Sequence, residues 1–269
     1  MNAGAPFAVE RDGHIAWLIF NCPEKRNTMT LAFFAELSVR FAEFDNDPDI
    51  RVVVIKAEGK SFTAGLDLME AASIIPGKGT ASERDNMRRK IISLQENISS
   101  IEMCRKPVIA AVHSHCIGGG VDLISACDIR LAARDAVFSI RETRIGIIAD
   151  VGSLQRLPAI IGHGWTSELA LSGRDFTAEE ALTMGLITRL CEDREALYEE
   201  AGKLARQIAD CPPMTVAGVK EMLRYTRDNG VYNSLAYVAQ KNASALPSKD
   251  LFEAVSAFME KRKPVFTGE

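Results

Sequence analysis

The chain has 269 residues, 47% hydrophobic and 25% charged, enough to bury one substantial core with an appendage. A formal net charge of -4, with only short basic clusters at Arg84, Arg88, Arg89 and Lys90 and at Lys261, Arg262 and Lys263, argues against nucleic acid as a partner. No apolar run reaches the roughly 20 residues that a membrane helix needs, so no membrane contact is expected.

Short β-rich runs at 14–20, 51–57, 107–113, 129–133 and 136–140 alternate with helical periods. After the first run, Phe34, Leu37, Phe41 and Phe44 fall on one helical face; after the second, Met87, Ile91, Leu94, Ile98 and Ile101 do the same. Between those helices the stretch 74–80, with Pro76, Gly77 and Gly79, reads as a mobile loop flanking a site. The runs at 129–133 and 136–140 read as a hairpin leading through Gly146 and Gly152 into a helix at 154–161. Thr177 and Glu180 form a capping box, and Leu197, Ala201, Leu204 and Ile208 stripe a further helix. After Pro212 come three helices, broken at Gly230 and at Pro247-Ser248.

The fold class is therefore α/β. The closing helices are too few to bury their own apolar faces. A body of residues 1–205 and a helical oligomerisation region of 206–269, packed on the body or on a neighbouring subunit, is the expected division. The first ten residues lack a secretory pattern and Thr267-Gly268-Glu269 is not a peroxisomal tripeptide, so a cytoplasmic protein is expected. Cys22, Cys104, Cys116, Cys127, Cys191 and Cys211 show no metal-ligand spacing and read as reduced thiols.

Gly118-Gly119-Gly120 stands between an apolar strand and the helix that opens at Val121. Consecutive glycines there uncover backbone N–H groups at the positive end of a helix dipole, where a developing oxyanion can be held; equally, they permit a tight turn. Upstream, Ser61-Phe62-Thr63-Ala64-Gly65-Leu66-Asp67-Leu68 follows the run at 51–57 and can present a second set of donors, while Asp67 alone reads more plainly as a helix cap.

Three carboxylates follow: Asp122, Glu142 and Asp150. Asp150 lies in the apolar stretch between Gly146 and Gly152, either desolvated with a raised pKa or paired with a cation such as Arg156. Residue types alone favour the ion pair. His113-Ser114-His115-Cys116 has no companion cluster, so no metal is expected. The phosphate loop, the dinucleotide fingerprint and the nucleophile elbow are all missing from the sequence.

Taken together, the segment Ser61 to Leu68, Ala110-Ala111-Val112-His113, Ile117 to Leu123, Ala126-Cys127-Asp128-Ile129-Arg130 and Leu154-Gln155-Arg156-Leu157-Pro158 resemble the crotonase, or enoyl-CoA hydratase/isomerase, superfamily over roughly 13–262. The resemblance implies a crotonase-like spiral of ββα repeats with a helical C-terminal trimerisation region. It implies a homotrimer or hexamer, an acyl-CoA thioester as ligand, and no cofactor beyond the CoA of the substrate. The thioester oxygen would sit between the N–H groups of Leu66 and Gly119. Substrate contacts would fall to Ala64, Gly65, Asp67, Leu68, Gly118 and Gly120, and CoA phosphates to Lys25 or Arg26.

The acid pattern is similar to that of the dienoyl-CoA isomerase branch, which moves a 3,5-diene to the conjugated 2,4-diene in chemistry of the fatty acid β-oxidation type. The resemblance makes Glu142 and Asp150 a base and acid pair, without saying which takes the C2 proton, and gives Asp122 the task of orienting or tuning Glu142. One competing reading is an enoyl-CoA hydratase, for which Glu, Glu and usually Gly would be expected at the three positions. The other is a non-catalytic acyl-CoA-binding protein, which has no need of three acids in register. Two residues depart from the pattern: Ser114 stands where many relatives have glycine, and Arg144 brings a positive charge close to Glu142.

Overall fold

A computed structural model describes residues 5–72, 77 and 79–269, so most of the loop expected at 74–80 lies outside the described residues. In chain order the elements are β1 (Phe7–Asp12), β2 (Ile15–Phe20), α1 (Leu31–Asn46), β3 (Val52–Ala57), α2 (Leu68–Ala72), α3 (Ala81–Met103), β4 (Val108–Val112), β5 (His115–Ile117) and α4 (Gly119–Ser125). There follow β6 (Ile129–Ala133), β7 (Val137–Ser139), α5 (Ser153–Ser172), β8 (Asp175–Thr177), α6 (Ala178–Met184), β9 (Arg189–Cys191), α7 (Arg194–Ala209), α8 (Pro213–Ala245) and α9 (Lys249–Glu260).

The main sheet has the order β1-β2-β3-β4-β6-β9, antiparallel only between β1 and β2. Its central strands are nearly continuous apolar runs, as a parallel sheet covered on both faces requires. Alternate residues go to opposite sides: Val53, Ile55, Ala110 and Val112 join the phenylalanines of α1, whereas Val52, Val54, Ile109 and Ala111 meet Leu197, Ala201 and Ala205 of α7. The stripe Phe34, Leu37, Phe41 and Phe44 is buried as its helical spacing predicts, and Thr30 caps that helix by accepting the Phe33 N–H.

The hairpin expected from 129–140 does not form. The β6 strand stays in the main sheet beside β4, while β7 crosses into a second sheet of order β5-β7-β8. The same step occurs one repeat earlier, where the chain leaves β4, turns at Ser114 and enters β5, so both strands of a parallel pair bend together. Ser114 takes a φ of 51° at that corner, a left-handed conformation that glycine adopts without a Cβ penalty. The serine is held there by its N–H, which donates to Asp135 Oδ1 at 3.2 Å.

Gly230, with φ 77°, breaks α8 into two limbs that fold back on one another: Thr226 and Ser234 share a 2.6 Å hydroxyl contact, and Glu221 bonds Tyr237 and Lys241. Lys220 ties the first limb to the body through Asp128 at 2.7 Å and the carbonyls of Ile101 and Lys106. Beyond it, Val231, Tyr232, Leu235, Phe252, Phe258 and Met259 are exposed. No helix among the described residues is long and apolar enough to cross a membrane.

Candidate active site

Two backbone turns face each other where β5 meets α4. Residues 64–67 are laced to the segment 26–29: Ala64 N–H donates to Arg26 O, Met29 N–H to Gly65 O at 2.8 Å, and Asp67 N–H to Met29 O at 3.1 Å. Among the described residues the Leu66 N–H donates to no protein acceptor. Gly65 has φ 88°, and a Cβ there would lie 2.6 Å from Ile117 O and 3.8 Å from Gly119 N, so only glycine allows this approach. On the facing turn, Gly118 has φ 55° and donates to Ser139 O, and Gly119 opens α4 with an N–H that likewise lacks a protein acceptor. Two amides are thus left open side by side.

The three acids surround this turn. Asp122, in α4, is 1% exposed and accepts the Ser153 N–H at 2.6 Å, which pins the start of α5. Burial pushes its carboxyl up to about 6 against the pull of that hydrogen bond. Glu142 begins a 3-10 turn after β7 and brings Oε1 to 3.0 Å from where a Cβ on Gly118 would stand. Its Oε2 is buried without a hydrogen-bond partner among the described residues. Burial first, then the charges of Asp122 and Asp150, push Glu142 up to about 7. Asp150 is half-buried and also raised, by burial, while its carbonyl accepts from Gln95 Nε2 of α3 at 2.7 Å.

The ion pair favoured for Asp150 by residue type is absent. Arg156 turns to Glu102 at 3.2 Å and to Ser99 Oγ at 2.9 Å, with its guanidinium filling the space beside Gly152. Glu102 also binds Arg227, so that cation is engaged as well. Arg144 points away too: its Nε donates to Ser172 O and its stem packs on Gly173, leaving Glu142 uncompensated. A cavity of about 370 Å³ opens beside Asp150, lined by Gln95, Ser99, Gln155, Arg156 and Arg227 among others.

The outer positions are more mixed. Asp67 caps α2 by accepting the Met69 and Glu70 N–H groups at 3.1 Å, which commits Oδ1 to structure. Leu68 is 53% exposed, and Lys25 and Arg26 are exposed at the same edge as Ala64. Gly120 is buried with Thr63 and Cys116 against it. His113 is spent on Gly59 O and the Tyr198 hydroxyl, and no set of three His, Cys, Asp or Glu among the described residues is placed to hold a metal. Sequence reasoning missed Gln95, a polar residue beside an apolar helical stripe, and Thr63, a small residue within a recognised motif. Gln95 carries no local signal because its partner is remote in sequence, and the bond from Gly65 to the Thr63 hydroxyl, though local, gains meaning only from the remote Asn27 carbonyl that fixes that hydroxyl.

The enoyl-CoA hydratase/isomerase family model matches residues 10–269. The peroxisomal delta(3,5)-delta(2,4)-dienoyl-CoA isomerase of Arabidopsis thaliana is 43% identical over 95% of this chain and 93% of its own length. The mitochondrial enzyme of the same name from Mus musculus is 45% identical over 93% of this chain and 77% of its own. A crystal structure of enoyl-CoA hydratase from Bacillus anthracis superposes with a TM-score of 0.90 at 31% identity, covering 98% of this chain and 100% of that one. The compartments in the first two names overturn the cytoplasmic expectation: an address is read by a receptor from a short segment, and neither composition nor fold reports it. With its ordered glycine turns, its α/β spiral and a match along nearly its whole length, the chain belongs to the enoyl-CoA hydratase/isomerase family.

Proposed function

We propose that this protein is an acyl-CoA isomerase that converts a 3,5-dienoyl-CoA to the 2,4-dienoyl-CoA. The observation that carries the reading is the set of three acids beside the open amides, none of them in an ion pair among the described residues and all raised in pKa. Relatives at 43% and 45% identity bear this activity in their names.

In this reading the thioester oxygen accepts from Leu66 and Gly119, which stabilise the dienolate that forms when C2 loses its proton. C2 is bonded to the thioester carbon, so its base must lie beside the glycine turn. Glu142 has that position through its contact with Gly118. Asp150 is then the acid that gives a proton to C6, and Asp122 keeps Glu142 basic by like charge. A proton leaves one end of the conjugated system and another arrives at the far end, so redox and metal chemistry have no part in the balance. Lys25 and Arg26, exposed beside Ala64, are assigned to the CoA phosphates, and the backbone of 64–68 with Gly118 and Gly120 to the thioester and pantetheine.

Residues 206–269 are assigned to oligomerisation. Their exposed Tyr232 and Phe258, at 86% and 85%, call for cover that a trimer, or a hexamer of two trimers, would supply. Light scattering on the purified protein tests this, and a monomer at micromolar concentration would reject it.

The deciding experiment offers the purified protein 3,5-octadienoyl-CoA and crotonyl-CoA in parallel. Growth of the 2,4-dienoyl chromophore with little hydration is expected. Rapid hydration without conjugation would make the protein a hydratase, and tight binding without turnover of either would make it a carrier.

A further inference from the structure

The Leu66 amide can act only if its direction is fixed, and nothing in Leu66 itself fixes it. That N–H belongs to the planar Gly65–Leu66 peptide, so its aim is set by whatever holds the two sides of that plane. Met29 N–H holds the Gly65 carbonyl at 2.8 Å. The preceding Gly65 N–H donates to Thr63 Oγ1 at 3.1 Å, and that hydroxyl in turn donates to Asn27 O at 2.6 Å. Glycine at 65 supplies no side chain to restrain its own torsions, which makes these outside contacts decisive.

Thr63 also touches the second turn. It is 0% exposed, its N–H donates to His115 O at 2.9 Å and its carbonyl accepts from Ile117 at 3.2 Å. Its methyl lies directly against Gly120, the residue after the second open amide. Asn27 anchors the far end of the chain of bonds, donating to the carbonyls of Glu58 and Ser61, each at 2.9 Å. One small side chain therefore contacts both donor-bearing turns, through its oxygen on one side and its methyl on the other.

We propose that Thr63 is a positioning residue for the oxyanion site: its hydroxyl aims the Leu66 N–H, while its methyl packs against Gly120. The hydroxyl carries the aim and the methyl adds only a packing contact beside Gly120, so serine keeps the larger part of the role and valine loses it. The proposal rests on the assignment of Leu66 and Gly119 to the thioester oxygen and is independent of which acyl-CoA reaction follows.

The test compares Thr63→Val, which keeps the shape and removes the hydroxyl, with Thr63→Ser, which keeps the hydroxyl and removes the methyl. Two quantities are read at a temperature well below each variant's unfolding midpoint. The first is kcat and KM on 3,5-octadienoyl-CoA. The second is the red shift of 2,4-hexadienoyl-CoA absorbance on binding, which reports polarisation of the thioester carbonyl and needs no turnover. Thr63→Val is expected to lose about tenfold or more in kcat with KM changed less than about threefold, and to lose most of the red shift. Thr63→Ser is expected to regain both to within about threefold. Equal damage in the two variants, an undiminished red shift in Thr63→Val, or a wild-type protein that binds the probe without any shift would overturn the proposal. A wild-type protein that shifts the probe but leaves the 3,5-diene untouched would instead defeat the isomerase reading and leave the role of Thr63 standing.

Discussion

Two neighbouring clusters of carboxylates meet at the loop 146–152, and they are built on opposite rules. In one, Glu102 accepts from both Arg156 and Arg227, and Asp228 binds Arg227 again, so each charge is answered. In the other, Asp122, Glu142 and Asp150 form no ion pair among the described residues, and each has its carboxyl raised. The clusters are neighbours: Asp150 lines the same cavity as Glu102, Arg156, Arg227 and Asp228. The paired cluster keeps the nearby guanidinium groups occupied, which leaves the reactive acids without an ion-pair partner and their carboxyls above the ordinary range.

Removing a reactive acid tests the contrast hardest. Glu142→Gln is expected to lower kcat by about a thousandfold, with the bound substrate's C2 protons no longer exchanging into D₂O. Asp150→Asn should lose a similar factor in isomerisation yet retain C2 exchange, which NMR in D₂O reads directly. Loss of exchange in both would mean that the two acids act at one carbon.

Breaking the paired cluster should damage the other from a distance. Glu102→Gln takes a partner from Arg156 and Arg227, and a freed guanidinium beside Asp150 would favour its ionised form. The expected result is a basic limb of the kcat profile moved to lower pH and a loss of about tenfold at pH 8. Equal activity with an unmoved limb would show that the cations were never competitors for Asp150.

A smaller effect follows from Asp122→Asn, which keeps an oxygen for the Ser153 N–H and removes the charge. That charge is the second cause of the Glu142 shift, so the acidic limb of kcat/KM, expected at about 7, should move down. The smallest effect is on stability. Folded Glu142 binds its proton more tightly than the free side chain at 4.5, so its contribution is neutral below that value and becomes unfavourable as pH rises to about 7. Glu142→Gln should therefore raise the melting temperature by roughly 2–4 °C at pH 8 and change nothing at pH 4.

Much of this was legible in the chain itself, for physical reasons that operate locally. The periods of β3 and α1, the capping box at Thr177 and Glu180, and the break at Gly230 all depend on residues close in sequence, and the fold carries each one. Gly118-Gly119-Gly120 left two readings open, bare amides or a tight turn, because glycine permits both wherever it stands. What the tertiary structure decided were the choices between partners. Residue types favoured Arg156 as the mate of Asp150, but Glu102, 54 positions before Arg156, holds it instead. The apparent hairpin at 129–140 was undone because β4 and β5 offered each run a parallel neighbour already in place. The roles of Gln95 and Thr63 came from contacts with Asp150 and with Asn27 and Gly120 that no spacing encodes. Local rules determine what a segment can form, and only the packed chain determines which of several chemically adequate partners is within reach.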